Sequence, residues 1–246
     1  MATRPLLATD LDGTFIGDQT EMLALWHDLN ETGIRVAFST GRHLASIRAF
    51  LTGSETTCLP AACICMVGTE IWHVVDNEFR RDDAWTDEID QDWDRAVIDG
   101  VVRAVCDAEP QPSEWQSEFK SSWYMDRVGG SDLVEISNRL EAAGVAAKIV
   151  ASAERFLDIV PSRSGKGGAV RFLAERLNLG MDQVVTAGDT GNDLDMMPPA
   201  LEVRSIAVGN ATEELRHHEA SGLYHADAPF AAGIREGLVH YGWLDA

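Results

Sequence analysis

The stretch LLATDLDGT, residues 6–14, joins a short apolar segment to two aspartates and a glycine turn. The segment Leu6 to Thr9 is typical of a buried strand, and Asp10 follows it directly. In open parallel sheets, ligands bind beyond the carboxyl ends of the strands. Asp10 and Asp12 are two residues apart, so both can project to the same side of an extended chain. Because adjacent carboxylates repel each other, this pair needs a cation, a shared proton or hydrogen bonds.

Predicted strands and helices alternate before residue 80 and again after residue 160. Short apolar segments of this kind, separated by helices of about ten residues, predict βαβ units and a parallel sheet. The predicted strands are residues 6–9, 34–38, 61–67, 183–187 and 203–208. The predicted helices are residues 22–29, 43–51 and 166–177, one near residue 194, and one ending near residue 241.

Residues 80–160 do not continue this alternation. One apolar stripe predicts a long amphipathic helix, and it consists of Ile89, Trp93, Val97, Val101 and Val105. After it, strands are predicted at 119–125, 145–150 and 156–160, with a helix at 133–140. The fold class expected is therefore α/β, with a Rossmann-like parallel-sheet core of residues 1–79 and 161–246. An inserted α+β cap of residues 80–160 would interrupt this core.

The composition is that of a globular protein with a large acidic excess. The 246 residues include 40 Asp and Glu against 20 Lys and Arg, which gives a net charge of −20. Nucleic acid and anionic membranes repel such a surface, so neither is expected as a partner. We find no apolar run of roughly 20 residues that could span a bilayer. Since no targeting signal is recognised either, a cytoplasmic location is predicted.

The four cysteines, Cys58, Cys63, Cys65 and Cys106, lack the paired spacing of a zinc site. Three of them lie near or within the apolar stretch 61–67. Free thiols are therefore predicted.

A second polar cluster, Gly188 to Asp193, also follows an apolar strand. Its side chains Asp189, Asn192 and Asp193 offer the oxygen ligands that Mg²⁺ prefers. Taken alone, this loop is equally compatible with an ordinary polar turn between a strand and a helix.

Two further segments could bind phosphate. Thr40 and Gly41 follow the second predicted strand and precede a helix, where a hydroxyl and free backbone N–H groups can hold an anion. Lys166 also begins a predicted helix, but Val160 occupies the position at which a nucleotide P-loop requires glycine. The chain has only three lysines against 17 arginines, which favours a specific role for Lys166.

With these four clusters, the sequence resembles the haloacid dehalogenase superfamily of phosphatases with an aspartate nucleophile. Within it, the chain is most similar to sucrose-phosphate and mannosylfructose-phosphate phosphatases. The segments that carry this closer resemblance are residues 11–18, 67–71, 119–124 and 188–194.

The resemblance implies a mechanism. Asp10 would be the nucleophile that forms an aspartyl-phosphate, and Asp12 would be the general acid and base. The Mg²⁺ cofactor would be held by Asp10, the Asp12 carbonyl and Asp189, and Asp193 would support the metal.

The resemblance also implies how the substrate is bound. The phosphate would be held by Thr40, Gly41, Lys166 and Asn192. The sugar would be contacted by Thr69, Glu70, Lys120 and Ser122.

The expected substrate is a small phosphorylated disaccharide, and a sugar-phosphate synthase of the same pathway is an expected partner. Two alternatives stay open. The first is a phosphatase with broad specificity for sugar phosphates. The second is a phospho-acceptor signalling module, although such a module needs neither an inserted cap nor an acid at Asp12.

Overall fold

The computed structural model describes residues 4–53, 59–125, 129–152 and 155–245. The strands found in these residues are β1 (Leu6–Thr9), β2 (Arg35–Ser39), β3 (Ala62–Cys65), β4 (Glu70–Val75), β5 (Glu78–Arg81), β6 (Ala108–Pro110), β7 (Ser121–Met125), β8 (Ala147–Ser152), β9 (Phe156–Pro161), β10 (Val184–Gly188), β11 (Arg204–Ala207) and β12 (Leu223–His225). The helices are α1 (Gln19–Thr32), α2 (Leu44–Gly53), α3 (Asp83–Ile89), α4 (Arg95–Val105), α5 (Gly130–Ala142), α6 (Lys166–Arg176), α7 (Glu213–Arg216) and α8 (Phe230–His240).

The chain divides into two compact units. The first, called the core unit, consists of Met1–Arg81 and Lys166–Ala246, and the second, called the inserted unit, is Asp82–Gly165. The sequence predicts the corresponding boundaries at residues 80 and 160.

A mixed sheet forms the centre of the core unit. Its order among the described strands is β12-β11-β10-β1-β2-β3-β4-β5. Neighbouring strands from β12 to β3 pair in parallel. β4 then pairs antiparallel with β3, and β5 pairs antiparallel with β4. The predicted α/β fold is confirmed. The sheet is built outward in both directions from β1 and β10, so the boundary between these two strands is the topological switch point at which ligands of such folds bind.

Helix α1 shows how local sequence defines the ends of an element and its buried face. The Asp18 carboxylate accepts hydrogen bonds from the N–H groups of Thr20 and Glu21, at 2.8 and 3.1 Å, and so caps the first turn. Gly33 ends the helix in the left-handed conformation, with φ of 71°. The ring of Trp26 on this helix packs on Phe38 of β2, with centroids 5.7 Å apart.

The hairpin of β4 and β5 was not predicted from the sequence. Residues 76–94 carry nine acidic groups, and acidic residues are depleted in strands. Asp76 and Asn77 adopt φ of 53° and 63°. These values fit a two-residue hairpin turn, for which Asp and Asn are favoured residues. β5 therefore extends the core sheet.

The inserted unit contains a four-stranded antiparallel sheet of order β6-β7-β9-β8. Its apolar core includes Ile98 of α4, Ile136 of α5 and Trp123 of β7. Trp123 is buried, whereas its neighbour Tyr124 is 36% exposed. The sequence predicts that one residue of this pair packs inside, and this prediction is confirmed.

The prediction of one long amphipathic helix through residues 89–105 is wrong. Helix α3 ends at Ile89 and α4 begins at Arg95. Between them, Asp92 adopts a left-handed φ of 62° that an α-helix cannot contain. The Asp94 carboxylate then starts α4 by accepting from the N–H groups of Ala96 and Val97, at 2.9 and 3.0 Å.

Cys63, Cys65 and Cys106 are free thiols, and Cys58 lies outside the described residues. Burial raises the pKa of the Cys63 thiol to about 12, so it is inert at neutral pH. Throughout the described ranges, each helix is too short or too polar to cross a bilayer.

Candidate active site

Two aspartates lie at the carboxyl ends of the two strands that flank the switch point. Asp10 follows β1, and its backbone N–H donates to the carbonyl of Ala187 on β10 at 2.8 Å. Asp189 follows β10. The two carboxylates, 179 residues apart in the sequence, are thus brought to the same edge of the sheet by the pairing of β1 with β10.

The turn after β1 is shaped to receive Asp189. Gly13 adopts φ of 82°, and a Cβ at this position would lie 2.5 Å from Asp189 Oδ2. Only glycine therefore fits between the turn and this carboxylate. The Thr14 hydroxyl donates to Asp189 Oδ1 at 2.7 Å, and the Asn210 side-chain amide donates to the Gly13 carbonyl at 2.7 Å. Neither Thr14 nor Asn210 was assigned a role from the sequence.

Lys166 is completely buried and joins three of the predicted site residues. Its Nζ donates to Asp10 Oδ1 at 2.6 Å, to Asp193 Oδ1 at 2.6 Å and to Asn192 Oδ1 at 3.4 Å. Burial by itself would lower the pKa of Lys166, but the carboxylates of Asp193 and Asp10 outweigh it, and the pKa is raised. The residue is therefore a fixed cation at neutral pH.

Asp193 organises the loop after β10. Its Oδ1 accepts from Lys166, while its Oδ2 accepts from the backbone N–H groups of Asp189 and Thr190, both at 3.0 Å. Both carboxylate oxygens of Asp193 already accept hydrogen bonds. Asp193 is therefore better placed to orient the loop and Lys166 than to be a principal ligand of a metal ion.

The acidic groups at this edge outnumber the cation. Asp10, Asp189 and Asp193 each offer one oxygen, and these oxygens lie within 4.8 Å of one another. Burial, together with the charges of Asp193 and Asp189, raises the pKa of Asp10 to about 7 although Lys166 opposes the shift. Burial also raises the pKa of Asp189. Three close carboxylates with one ammonium lack positive charge, and a buried set of oxygen donors of this kind suits a hard divalent cation.

Asp12 lies outside this cluster and is held differently. Its side chain is 54% exposed and forms a two-point ion pair with Arg42. Arg42 Nε donates to Asp12 Oδ2 at 2.7 Å, and Nη2 donates to Oδ1. No role was assigned to Arg42 from the sequence, although its position directly after Thr40 and Gly41 placed it in a candidate motif.

Thr40 and Gly41 follow β2, the strand next to β1. The N–H of Thr40 donates to the Ile64 carbonyl at 2.9 Å, and its hydroxyl accepts from the N–H of Arg42 at 3.2 Å. The loop is therefore fixed at the same edge as Asp10.

Of the sugar-contact candidates, Thr69 and Glu70 belong to the core unit. Thr69 is buried, and its hydroxyl donates to the Met66 carbonyl at 3.1 Å. Glu70 is half-buried and accepts from the Trp72 indole N–H at 2.8 Å. Glu70 is thus the more accessible of the two.

Lys120 and Ser122 belong to the inserted unit and are both buried. Lys120 Nζ donates to Ser122 Oγ at 2.7 Å, to Asp158 Oδ1 at 3.0 Å and to the Trp115 carbonyl at 3.3 Å. An ammonium has three donors, so all of them are used inside this unit. A contact from Lys120 to a sugar stays a prediction, and it would require one of these bonds to be exchanged.

Gly167 allows α6 to approach the loop that carries Asp193. A Cβ at Gly167 would lie only 1.8 Å from the backbone carbonyl oxygen of Asp195. Gly167→Ala is therefore expected to destabilise the protein by about 1–3 kcal/mol, the usual cost of overpacking. Thermal unfolding would measure this loss as a drop of roughly 2–4 °C in Tm per kcal/mol.

The matched control for this prediction is Gly100→Ala. Gly100 also lies in a helix, but a Cβ there would meet nothing within 4 Å. This change should leave Tm unchanged or raise it, because alanine favours helix. Equal Tm values for the two variants would contradict the close approach of α6.

A family model described as sucrose-6F-phosphate phosphohydrolase matches residues 3–242 of the chain. Mannosylfructose-phosphate phosphatase of Agrobacterium fabrum is 33% identical over 243 residues, which cover 96% of each protein. Glucosylglycerol-phosphate synthase of Pseudomonas anguilliseptica is 31% identical over 97% of this chain, but only 31% of the synthase is covered.

A solved structure of sucrose-phosphatase from Synechocystis sp., in complex with sucrose and phosphate, has the same fold. Its TM-score is 0.84 at 26% identity, and 98% of this chain and 99% of the other are covered. The predicted resemblance to these phosphatases is confirmed. The family model and the two phosphatases named here are hydrolases and not phospho-acceptor signalling modules.

Proposed function

The chain belongs to the sucrose-6F-phosphate phosphohydrolase family, and we propose that it hydrolyses a phosphorylated disaccharide of the sucrose-phosphate or mannosylfructose-phosphate type. It is a phosphoric monoester hydrolase of the haloacid dehalogenase type. The observation that carries the proposal is the buried Asp10 carboxylate, fixed by Lys166 beside Asp189 at the switch point of the sheet.

Asp10 is proposed to be the nucleophile. Its Oδ1 accepts from Lys166, and among the described residues its Oδ2 has no hydrogen-bond donor. This free oxygen would attack phosphorus in line with the departing sugar oxygen. The new bond joins Oδ2 to phosphorus, the bond from phosphorus to the sugar oxygen breaks, and an aspartyl-phosphate is formed.

Asp12 is proposed to move the protons. In the first step its carboxyl group would give a proton to the sugar oxygen as that oxygen leaves. In the second step its carboxylate would take a proton from water as the water attacks phosphorus, which releases phosphate and restores Asp10. The ion pair with Arg42 holds the Asp12 side chain at this edge of the core unit between turnovers.

The transferring phosphate would be bound by Lys166, Thr40, Gly41 and Asn192. Lys166 supplies a permanent positive charge, and the loop of Thr40 and Gly41 supplies a hydroxyl and backbone N–H groups. Asn192 is exposed next to Lys166 and can reach a phosphate oxygen.

Asp10, the Asp12 carbonyl and Asp189 are proposed to hold Mg²⁺, with Asp193 as support. The bound ion would neutralise negative charge on the phosphate. Without it, three carboxylates would repel an anionic substrate.

Mg²⁺ is therefore expected to stabilise the folded protein as well as activate it. At about 100 times its Kd, a ligand adds about 2.7 kcal/mol to stability, which for this chain length is a rise of roughly 5–10 °C in Tm. Asp189→Asn should lose most of this rise, whereas the exposed Asp182→Asn should keep it. A wild-type Tm that is the same in Mg²⁺ and in EDTA would contradict the metal site.

The inserted unit is proposed to act as a cap that recognises the sugar. The proposed contacts to the sugar are Glu70 of the core unit and Lys120 and Ser122 of the inserted unit. Thr69 would support Glu70. Relatives named for sucrose phosphate and mannosylfructose phosphate support a disaccharide.

A panel of phosphate esters tests the substrate class. Phosphate release would be measured from sucrose phosphate, mannosylfructose phosphate, glucose 6-phosphate and fructose 6-phosphate. We expect kcat/KM for one disaccharide ester to exceed those of the hexose phosphates by roughly 100-fold or more, because missing hydroxyls leave polar groups of the site unpaired. Similar values for all four would instead indicate a broad sugar-phosphate phosphatase.

The same substrate class makes a sugar-phosphate synthase the proposed upstream partner. The match between this chain and about one third of a protein named as a synthase supports this link. A co-purification experiment with the synthase that makes the preferred ester would test whether the two enzymes also associate.

A further inference from the structure

A cavity of about 300 Å³ lies in the core unit at the edge of the sheet opposite Asp10. We call it the rear cavity, and its polar lining includes Arg4, Trp26, Arg35 and Asp76. Arg35 begins β2 and Thr40 follows the same strand, so the two lie five extended residues, or roughly 16 Å, apart. A ligand in the rear cavity would therefore not touch the proposed catalytic groups.

Two residues that line the rear cavity each carry a buried nitrogen atom without a partner. Trp26 is only 5% exposed, and its indole N–H has no acceptor among the described residues. Arg35 Nε is likewise buried without a partner in that part of the chain. Buried donors are nearly always hydrogen-bonded in folded proteins, so two unpaired donors beside one cavity are unusual. Both nitrogen atoms are closed to solvent, and an acceptor that enters the cavity reaches them only when side chains of its wall rearrange.

The charge of the rear cavity is opposite to that of the protein. Its wall carries the guanidinium groups of Arg4 and Arg35 against the one carboxylate of Asp76, whereas the whole chain has two acidic residues for every basic one. Arg35 Nη2 donates to the backbone carbonyl of Arg4 at 2.6 Å, which fixes the guanidinium at this end of the sheet. Burial and the nearby charge of Arg4 lower the pKa of Arg35, as expected for a cation without a counter-ion.

We propose that the rear cavity binds a small organic oxyanion, a carboxylate or a phosphate ester, separately from the catalytic site. Once the wall has rearranged, Arg35 and the Trp26 indole N–H would donate to its oxygens, and Arg4 would add positive charge from its exposed position. Leu29, Pro60 and Val74 also line the cavity and can pack against an apolar body. Its volume is at the lower end of the range for ligand pockets, which limits the ligand to a small molecule.

The indole N–H of Trp26 can report binding directly. The chain has seven tryptophans, so a ¹H–¹⁵N spectrum contains seven indole signals. The signal that is missing from the spectrum of Trp26→Phe is that of Trp26. Full-length protein would be titrated separately with inorganic phosphate and with benzoate. We expect the Trp26 signal to move with saturation, and Arg35→Gln to weaken the Kd by roughly tenfold or more, as for loss of a charged hydrogen bond.

Two further variants make the result decisive. Arg4 is exposed, so Arg4→Gln should fold normally and should also weaken binding, whereas the exposed Arg171→Gln should not change it. Movement with phosphate alone would indicate that the site accepts a phosphate group, and movement with benzoate alone that it accepts a carboxylate. Phosphate at the catalytic edge could also shift the signal through Phe15, whose ring is 5.2 Å from that of Trp26. A shift that persists in both Arg4→Gln and Arg35→Gln, or no shift with either probe, would show the proposal to be wrong.

Discussion

Asp10→Asn is expected to abolish turnover of every phosphate ester that the protein accepts. The neutral amide cannot supply a carboxylate oxygen to phosphorus, so the covalent intermediate cannot form. Phosphate release under saturating Mg²⁺ measures the loss. With a radiolabelled substrate, acid quenching should trap label on the wild-type protein and none on the variant.

The structure indicates that this variant folds. The amide oxygen of Asn can still accept from Lys166, which donates to Asp10 Oδ1 at 2.6 Å, so the buried ammonium keeps its partners. The control is Asp182→Asn, an exposed residue in the turn before β10, at the other end of that strand from Asp189. If folded Asp10→Asn releases phosphate at a rate comparable to that of the wild type, another group is the nucleophile.

Much of the fold follows from local pattern. Most apolar segments of the core are followed by a helix, so parallel pairing was the expected arrangement, and polar residues after the strands had to lie at one edge. This reasoning placed Asp10, Thr40 and Asp189 together. It could not show that β1 pairs with β10, because strand order depends on how helices pack and not on any single segment.

Side-chain partners were less predictable than backbone elements. The spacing of residues around Lys120 gives no sign that its ammonium is enclosed, because the acceptor Asp158 lies 38 residues later. The hydrogen bond from Thr14 to Asp189 joins residues 175 positions apart and depends on the pairing of β1 with β10. Such contacts are set by tertiary packing, so a residue type in a motif identifies a candidate but not its accessibility.

The acidic excess of the chain affects phosphate binding at the edge of the sheet that carries Asp10 and Asp189. There Lys166 is the one cation that contacts the carboxylates of Asp10 and Asp193 among the described residues. Its charge is therefore largely compensated before a phosphate arrives. The proposed metal would supply the additional positive charge that a phosphate dianion requires, which is why metal removal should weaken substrate binding as well as catalysis.

Asp12→Ala is expected to slow hydrolysis of the sugar phosphate by roughly 10²- to 10⁴-fold, the usual contribution of a general acid or base. The sugar oxygen would then leave without a proton, and water would attack the aspartyl-phosphate without a base. Asp12→Asn is the matched variant, because its amide oxygen can still accept a hydrogen bond from Arg42 and so separates loss of this contact from loss of proton transfer.

An activated ester distinguishes the two roles of Asp12. The leaving group of p-nitrophenyl phosphate needs no proton, so both variants should still form the aspartyl-phosphate, whose hydrolysis would then be slow. We therefore expect a rapid burst of one equivalent of p-nitrophenol per active site, followed by slow release, with phosphate trapped on Asp10 by acid quenching. Sugar-phosphate turnover at the wild-type rate in both variants would contradict the role of Asp12 altogether. Slow turnover without a burst would mean that Asp12 is needed before phosphoryl transfer, for example to position the substrate through its pairing with Arg42.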